Sequence, residues 1–390
     1  MARPEAEAGN PAGIYLHIPF CAAICNYCNF NRGLHDDGLR RRYVEALVAD
    51  IRQWAQTPSI GVDTIFFGGG TPSLLEPVEV ARLIEACRET FDLDAGAEIT
   101  LEANPESAGA ISLEGFRAAG VNRLSFGVQS FSDVELRRLG RLHSSLTARQ
   151  AVARARSAGF DNLSLDLMMW LPGQSLDDWL ASIDALVALQ PDHASLYLLE
   201  IYPNAPLRDE MARAGWSQAP DEDAAAMYVA GLQRLDEAGF EQYEISNVAR
   251  SRACRSRHNL KYWQGGEWLG FGCGAHSTFD GERWRTVSST ADYVDRMSAG
   301  IEVRLDRRVL DRQEQLEEAL FMGLRLADGL DLAALSRHHG IDIWSRYGQD
   351  LSPYVTAGLL TYESGRLTLT RNGMLLANEV MAVFIGGAVR

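Results

Sequence analysis

The amino-acid sequence predicts an α/β chain built as a partial (β/α)6 TIM-like barrel, followed by a smaller α+β domain with a winged-helix-like pattern. Two observations carry this prediction. Short runs rich in Val, Ile, Leu and Phe alternate with longer stretches of helical period, as expected of parallel strands covered on both faces. Polar residues then gather where those runs end, and the C-terminal ends of the strands are where a β/α barrel collects its chemistry.

In chain order, the strands are GIYLHI (13–18), VDTIFF (62–67), a run over 97–103, RLSFGV (123–128), LSLDLMM (163–169) and a run over 193–199. Helical period covers 40–56, 77–90, 146–158 and 176–189, with Gly120 and Gly159 as stop signals. His17 and a cysteine cluster follow the first strand, GGGTPS the second, Glu102 and Asn104 the third and Gln129 the fourth, while Asp166 lies within the fifth. From about residue 246 the pattern changes. SRHNLKYWQGGEWLGFGCGAHSTF has no clear period and reads as an ordered loop region or cap. Helices are expected at 312–326, 332–338 and 343–349, and GLLTYESGRLTLTRNGMLLANEVMAVFI then reads as strand, turn, strand and helix. The expected division is a flexible tail (1–12), the barrel (13–245), a connecting segment (246–305) and the C-terminal domain (306–390).

Composition narrows the function. The 390 residues are 46% hydrophobic and 23% charged, ordinary for a globular protein with a sizeable core. A net charge of -15 argues against nucleic acid as a partner, because phosphate binding rests on clustered Lys and Arg. The polar N-terminal stretch lacks the apolar core of a signal peptide and no window matches a membrane span, so the expected location is cytoplasmic. There thiols stay reduced, and clustered cysteines read as metal or catalytic groups.

Cys21, Cys25 and Cys28 form C-x3-C-x2-C, with Phe30 where a fourth cysteine could follow. The spacing leaves three readings open: a zinc site completed by His35, a Cys25–Cys28 redox pair, or three thiolates on a [4Fe-4S] cube with one iron free. Cys87 and Cys273 read as structural, and Cys254 as a small buried residue.

The C-x3-C-x2-C loop after the first strand of a β/α barrel, with Tyr27 just before the third cysteine, resembles the radical S-adenosylmethionine (SAM) superfamily. The resemblance implies a [4Fe-4S] cluster on Cys21, Cys25 and Cys28 whose open iron chelates SAM. It also implies SAM contacts from Gly70, Thr71 and Pro72, from the aromatic residues Tyr15 and Tyr27, and from the polar residues Glu102, Gln129, Arg141 and Asp166. The wider strings IYLHIPFCAAICNYCNF, FFGGGTPSLL, LEANPE, RLSFGVQSF, LGRLHS and DLMMWLPGQ are similar to the branch holding oxygen-independent coproporphyrinogen III oxidases and the related heme chaperones. The oxidase pattern has a further cysteine where Phe30 stands, and an N-terminal extension; both departures favour the chaperones.

RHNLKYW contains the H-N-x-x-Y-W pattern of that chaperone group, which implies a heme-associated role for His258, Tyr262 and Trp263. Lys261, the single lysine of the chain, lies inside it. The expected function is thus heme chaperoning: holding cluster, SAM and heme, with dimerisation linked to the cluster, and delivering heme to apo-hemoproteins such as membrane respiratory enzymes. The rival expectation is a radical SAM enzyme, an oxidase or methyltransferase, acting on a porphyrin or other substrate.

Overall fold

The computed structural model describes residues 10–56, 59–203, 205–218 and 220–385. Most of the expected 1–12 tail therefore lies outside the described residues. Seven parallel neighbours form the centre of one twelve-stranded sheet. Six come from the barrel repeat: β1 (Ala12–Ile18), β4 (Gly61–Gly69), β5 (Asp92–Ala103), β6 (Arg123–Gln129), β7 (Leu163–Met169) and β8 (His193–Leu198). Between β1 and β4, the two-residue strands β2 (Phe20–Cys21) and β3 (Gly33–Leu34) pair with each other and clamp the two ends of the cysteine loop.

Alternation along the strands explains why the barrel has a polar interior. On β1, Ile14, Leu16 and Ile18 are fully buried in the main core cluster, while Gly13, Tyr15 and His17 occupy the other face. The same rule puts Leu124, Phe126 and Val128 in the core on β6, with Arg123, Ser125 and Gln129 on the opposite face. Reading these strands as hydrophobic throughout is thus only half right. Their apolar faces seat the helices, including Asp37–Arg52 and Pro77–Thr90, and their polar faces line the cavity the barrel encloses.

After β8 the sheet is extended on both sides. β9 (Glu241–Glu244) and β10 (Asn247–Ala249) add antiparallel strands beyond β8. The connecting segment, which has no clear period in sequence, forms more sheet. β11 (Trp268–Phe271) runs parallel to β1, and β12 (His276–Phe279), β13 (Glu282–Thr286) and β14 (Arg304–Val309) follow antiparallel. Strands of four to six residues are too short to establish a period.

The helix Arg257–Trp263 links β10 at one side to β11 at the other, and so passes across the start of β1 and β4. A Cβ on Gly13 would lie 3.0 Å from the His258 ring, which is why the helix can sit so close under β1. Its first N–H groups donate to the Glu98 carboxylate, from Arg257 at 3.1 Å and from His258 at 3.2 Å. The C-terminal part contains the helices Arg312–Gly323, Leu332–His339 and Ile343–Thr356. A small sheet of β15 (Leu330–Asp331), β17 (Arg366–Leu369) and β16 (Leu360–Glu363) completes the winged-helix-like pattern. The third helix continues through Pro353, seven residues beyond its expected end at 349.

Candidate functional site

A cavity of about 510 Å3, within the ~300–1,000 Å3 range of ligand pockets, opens at the C-terminal ends of the strands. All three cysteines of the loop line it, together with Tyr27, Gly70, Thr71, Pro72, Glu102, Gln129, Arg141 and Asp166. Eight of the nine residues expected to contact SAM are therefore gathered beside the three expected cluster ligands. Tyr15 is the exception. Its hydroxyl meets His17 Nδ1 at 3.0 Å, and its ring faces a second, deeper chamber.

Local contacts hold the loop in place. Asn26 donates to Arg138 O and to Glu210 Oε2, both at 2.7 Å, while His17 Nε2 lies 2.8 Å from Asn31 O. Thr71 Oγ1 donates to Cys21 Sγ at 3.6 Å and Arg141 Nη1 to Cys25 Sγ at 3.3 Å. Donors aimed at sulfur stabilise thiolate, although burial pushes the Cys21 thiol up. At Gly70, a Cβ would come within 2.7 Å of Phe20 O and 2.9 Å of Ile18 O. The close approach this glycine permits is to the backbone at the base of the cysteine loop.

The pocket walls carry polar atoms that no described residue satisfies. Gln129 sits at φ 67, a left-handed conformation that is strained for glutamine, and its buried Oε1 has no hydrogen-bond partner among the described residues. Arg141 donates through Nη2 to Asn104 Oδ1 at 2.6 Å and Gly127 O at 2.7 Å, yet its buried Nε has no acceptor among the described residues. Burial works against this guanidinium, but Tyr27, Cys25 and Glu106 hold its pKa above the usual value. Glu102 accepts from the Gly69 N–H at 3.2 Å; burial and the neighbouring Asp166 carboxyl raise its pKa to about 8. Thiols, an orphaned amide, a guanidinium and two carboxyls around one cavity fit a cluster beside a zwitterionic, cationic cofactor. Asn104 belongs to this set through Arg141 and Thr71; its place at a strand end is the only sequence signal for it.

The H-N-x-x-Y-W residues lie on the far side of the barrel interior. His258 is 1% exposed, with Nδ1 2.8 Å from Thr64 Oγ1 and Nε2 2.8 Å from Tyr262 Oη. Burial, with Lys261 and Arg123 nearby, lowers its pKa to about 3 and keeps the imidazole neutral. His258 and Tyr262 line the deeper chamber, whereas Trp263 packs its ring under the Arg325 guanidinium, 4.3 Å away. Sequence spacing groups these three residues, but the helix distributes them over two faces. Lys261 closes the segment against the barrel, pairing with Asp63 at 2.6 Å and donating to Pro11 O at 2.6 Å.

Residues 15–186 match the family model described as the Radical SAM superfamily, and residues 310–376 match that of the HemN C-terminal domain, so the class that fold and site define is a radical SAM protein. Coproporphyrinogen III oxidase (HemN) from Escherichia coli shares the fold, with a TM-score of 0.84 and 22% identity over 97% of this chain and 90% of that one. Sequence similarity is closer elsewhere. The heme chaperone HemW of Bacillus subtilis is 36% identical over 95% of this chain and 98% of its own length. HemW of Escherichia coli K12 is 35% identical over 96% and 98%. The mitochondrial radical S-adenosyl methionine domain-containing protein 1 of Bos taurus is 39% identical over 98% and 89%. The chain belongs to the HemW family of radical SAM proteins.

Proposed function

We propose that this chain is a heme chaperone which holds a [4Fe-4S] cluster on Cys21, Cys25 and Cys28, binds SAM beside it and passes heme to apo-hemoproteins. The observation that carries the reading is full-length similarity to HemW chaperones, in a chain whose mouth pocket gathers the three thiols with Gly70, Thr71, Gln129 and Arg141. In this reading Glu102 and Asp166 face the cationic part of SAM, Gln129 and Arg141 its polar groups, and Tyr27 shields the cluster side. When bound, cluster and SAM supply one-electron chemistry at the sulfonium.

His258 is the proposed heme ligand, since a neutral imidazole is what iron requires. Both ring nitrogens are engaged and the adjoining chamber measures about 180 Å3, so iron can reach Nε2 only when Tyr262 withdraws and the helix Arg257–Trp263 leaves its seat. Work in the cytoplasm and peripheral delivery to membrane enzymes follow from the chaperone role. Among the described residues no helix is long and apolar enough to cross a membrane.

A second reading, turnover of a porphyrin by radical chemistry, is favoured by the eight expected SAM-contact residues that gather in the mouth pocket. Anaerobic incubation of the reconstituted protein with reductant, SAM and coproporphyrinogen III separates the two. The chaperone reading predicts stoichiometric heme binding and no decarboxylated porphyrin; catalytic formation of that product would overturn it.

A further inference from the structure

Beneath the mouth pocket the barrel encloses a chamber of about 180 Å3, large enough for several waters or one small solute. Barrels of this type are commonly filled by layers of branched apolar side chains. This one is lined instead by Arg123, Ser195, His258 and Tyr262, and it shares Glu102, Ser125, Asp166 and Tyr197 with the pocket above.

Arg123 is the anomaly. It enters from the first position of β6, is 2% exposed, and has neither a hydrogen-bond acceptor nor an ion-pair partner among the described residues. A guanidinium stays charged in a protein, and burying it without a hydrogen-bonded partner is unfavourable. The chamber's two acids, Glu102 and Asp166, feel the Arg123 charge through space, which acts to lower the pKa of each, but neither forms a hydrogen bond or close ion pair with it. Asp166 is already served by Ser125 Oγ, 3.2 Å from both carboxylate oxygens, and by Ser164 Oγ at 3.4 Å. Glu102 accepts the Gly69 N–H, and its raised pKa leaves it protonated at neutral pH. Both imidazoles on the walls, His193 and His258, are kept neutral by burial. A planar fork of N–H donors thus faces an enclosed polar space with no acceptor of its own.

We propose that this chamber is a binding site for a small carboxylate of the size of formate or acetate, anchored by the Arg123 fork. A carboxylate matches the fork with two parallel hydrogen bonds, which a single water cannot do. The guest enters through the mouth pocket, past the shared residues Glu102, Ser125, Asp166 and Tyr197, and is then covered by whatever occupies that pocket. The site is separate from the cysteine cluster but shares His258 and Tyr262 with the proposed heme contact, so its occupancy is read on heme-free protein.

The test is calorimetric titration of the full-length protein with sodium formate, at ionic strength held constant with sodium chloride. One saturable site per chain is expected. Arg123→Lys, which keeps the charge and loses the fork, should bind formate at least tenfold more weakly, and Arg123→Met should show no saturable binding. If Arg123→Met does not fold, as judged by circular dichroism, the lysine variant carries the comparison. Absence of saturable formate binding to the unsubstituted chain would mean that water alone fills the chamber, and would overturn the proposal. So would unchanged affinity in Arg123→Lys.

Discussion

Binding of SAM should release a proton from Glu102, and Glu102→Gln should remove that linkage. The carboxyl is buried beside Asp166, which raises its pKa to about 8, while the Gly69 N–H and the Arg123 charge act weakly in the opposite sense. Below that value the ligand-free pocket therefore holds the neutral acid, and a cationic ligand favours the carboxylate. The sign follows: SAM affinity rises with pH up to about 8 and then levels off. Between pH 6 and the pKa of about 8 the full effect is about 100-fold, or about 2.7 kcal/mol, at 1.36 kcal/mol per pKa unit. Without ligand the same shift works against the fold. The folded chain binds the Glu102 proton more tightly than the unfolded chain, so this contribution to stability is present at low pH and is lost as pH rises toward 8. Calorimetry at pH 7 in two buffers of different ionisation enthalpy counts the protons. Close to one proton released per SAM is expected for the unsubstituted chain and none for Glu102→Gln. Equal proton counts in the two proteins would refute the reasoning.

Cys21→Ala, Cys25→Ala and Cys28→Ala should each lose the visible absorption of the reconstituted cluster, since three thiolates are the minimum hold on the cube; an intact spectrum in any of them removes that cysteine from the ligand set. His258→Ala should weaken heme binding by at least tenfold and leave the cluster spectrum unchanged, and an unaltered heme titration would exclude this residue as ligand. Gly70→Ala should lower both stability, by about 1–3 kcal/mol, and cluster occupancy, because the new methyl meets backbone oxygens of Ile18 and Phe20 that cannot move aside. Chemical denaturation and iron content report the two effects, and a variant equal to the unsubstituted chain in both would show that the loop base is more pliable than its geometry indicates.

The barrel was legible in the sequence because its strands repeat a pattern that local physics enforces. All six barrel strands lie where the apolar runs place them, and the strand-end rule brought Thr71, Glu102, Gln129 and Asp166 to one pocket with the cysteines, while Arg141, expected there from the family resemblance, arrives from beyond a short helix. What escaped depends on long-range packing. Tyr15 faces inward from the same strand that leads to the cysteines, but one step deeper than His17, so it meets the inner chamber instead of the mouth. Arg123 reads as the polar start of a strand, and only closure of the barrel reveals that its guanidinium has no hydrogen-bond acceptor among the described residues. The segment around Trp268 has strands of four residues, whose pairing with β1 is set by the helix beneath the barrel rather than by any period of its own. The same helix separates Trp263 from His258, although the sequence motif places them five residues apart.

Transfer of heme is the central claim, and one measurement tests it most directly. Protein loaded with heme is mixed anaerobically with an apo-hemoprotein at increasing concentration, and the Soret band of the acceptor is followed in time. A transfer rate that rises with acceptor concentration, and exceeds the rate of heme loss to a passive scavenger, is the result a chaperone predicts. A rate independent of the acceptor and equal to passive loss would contradict it.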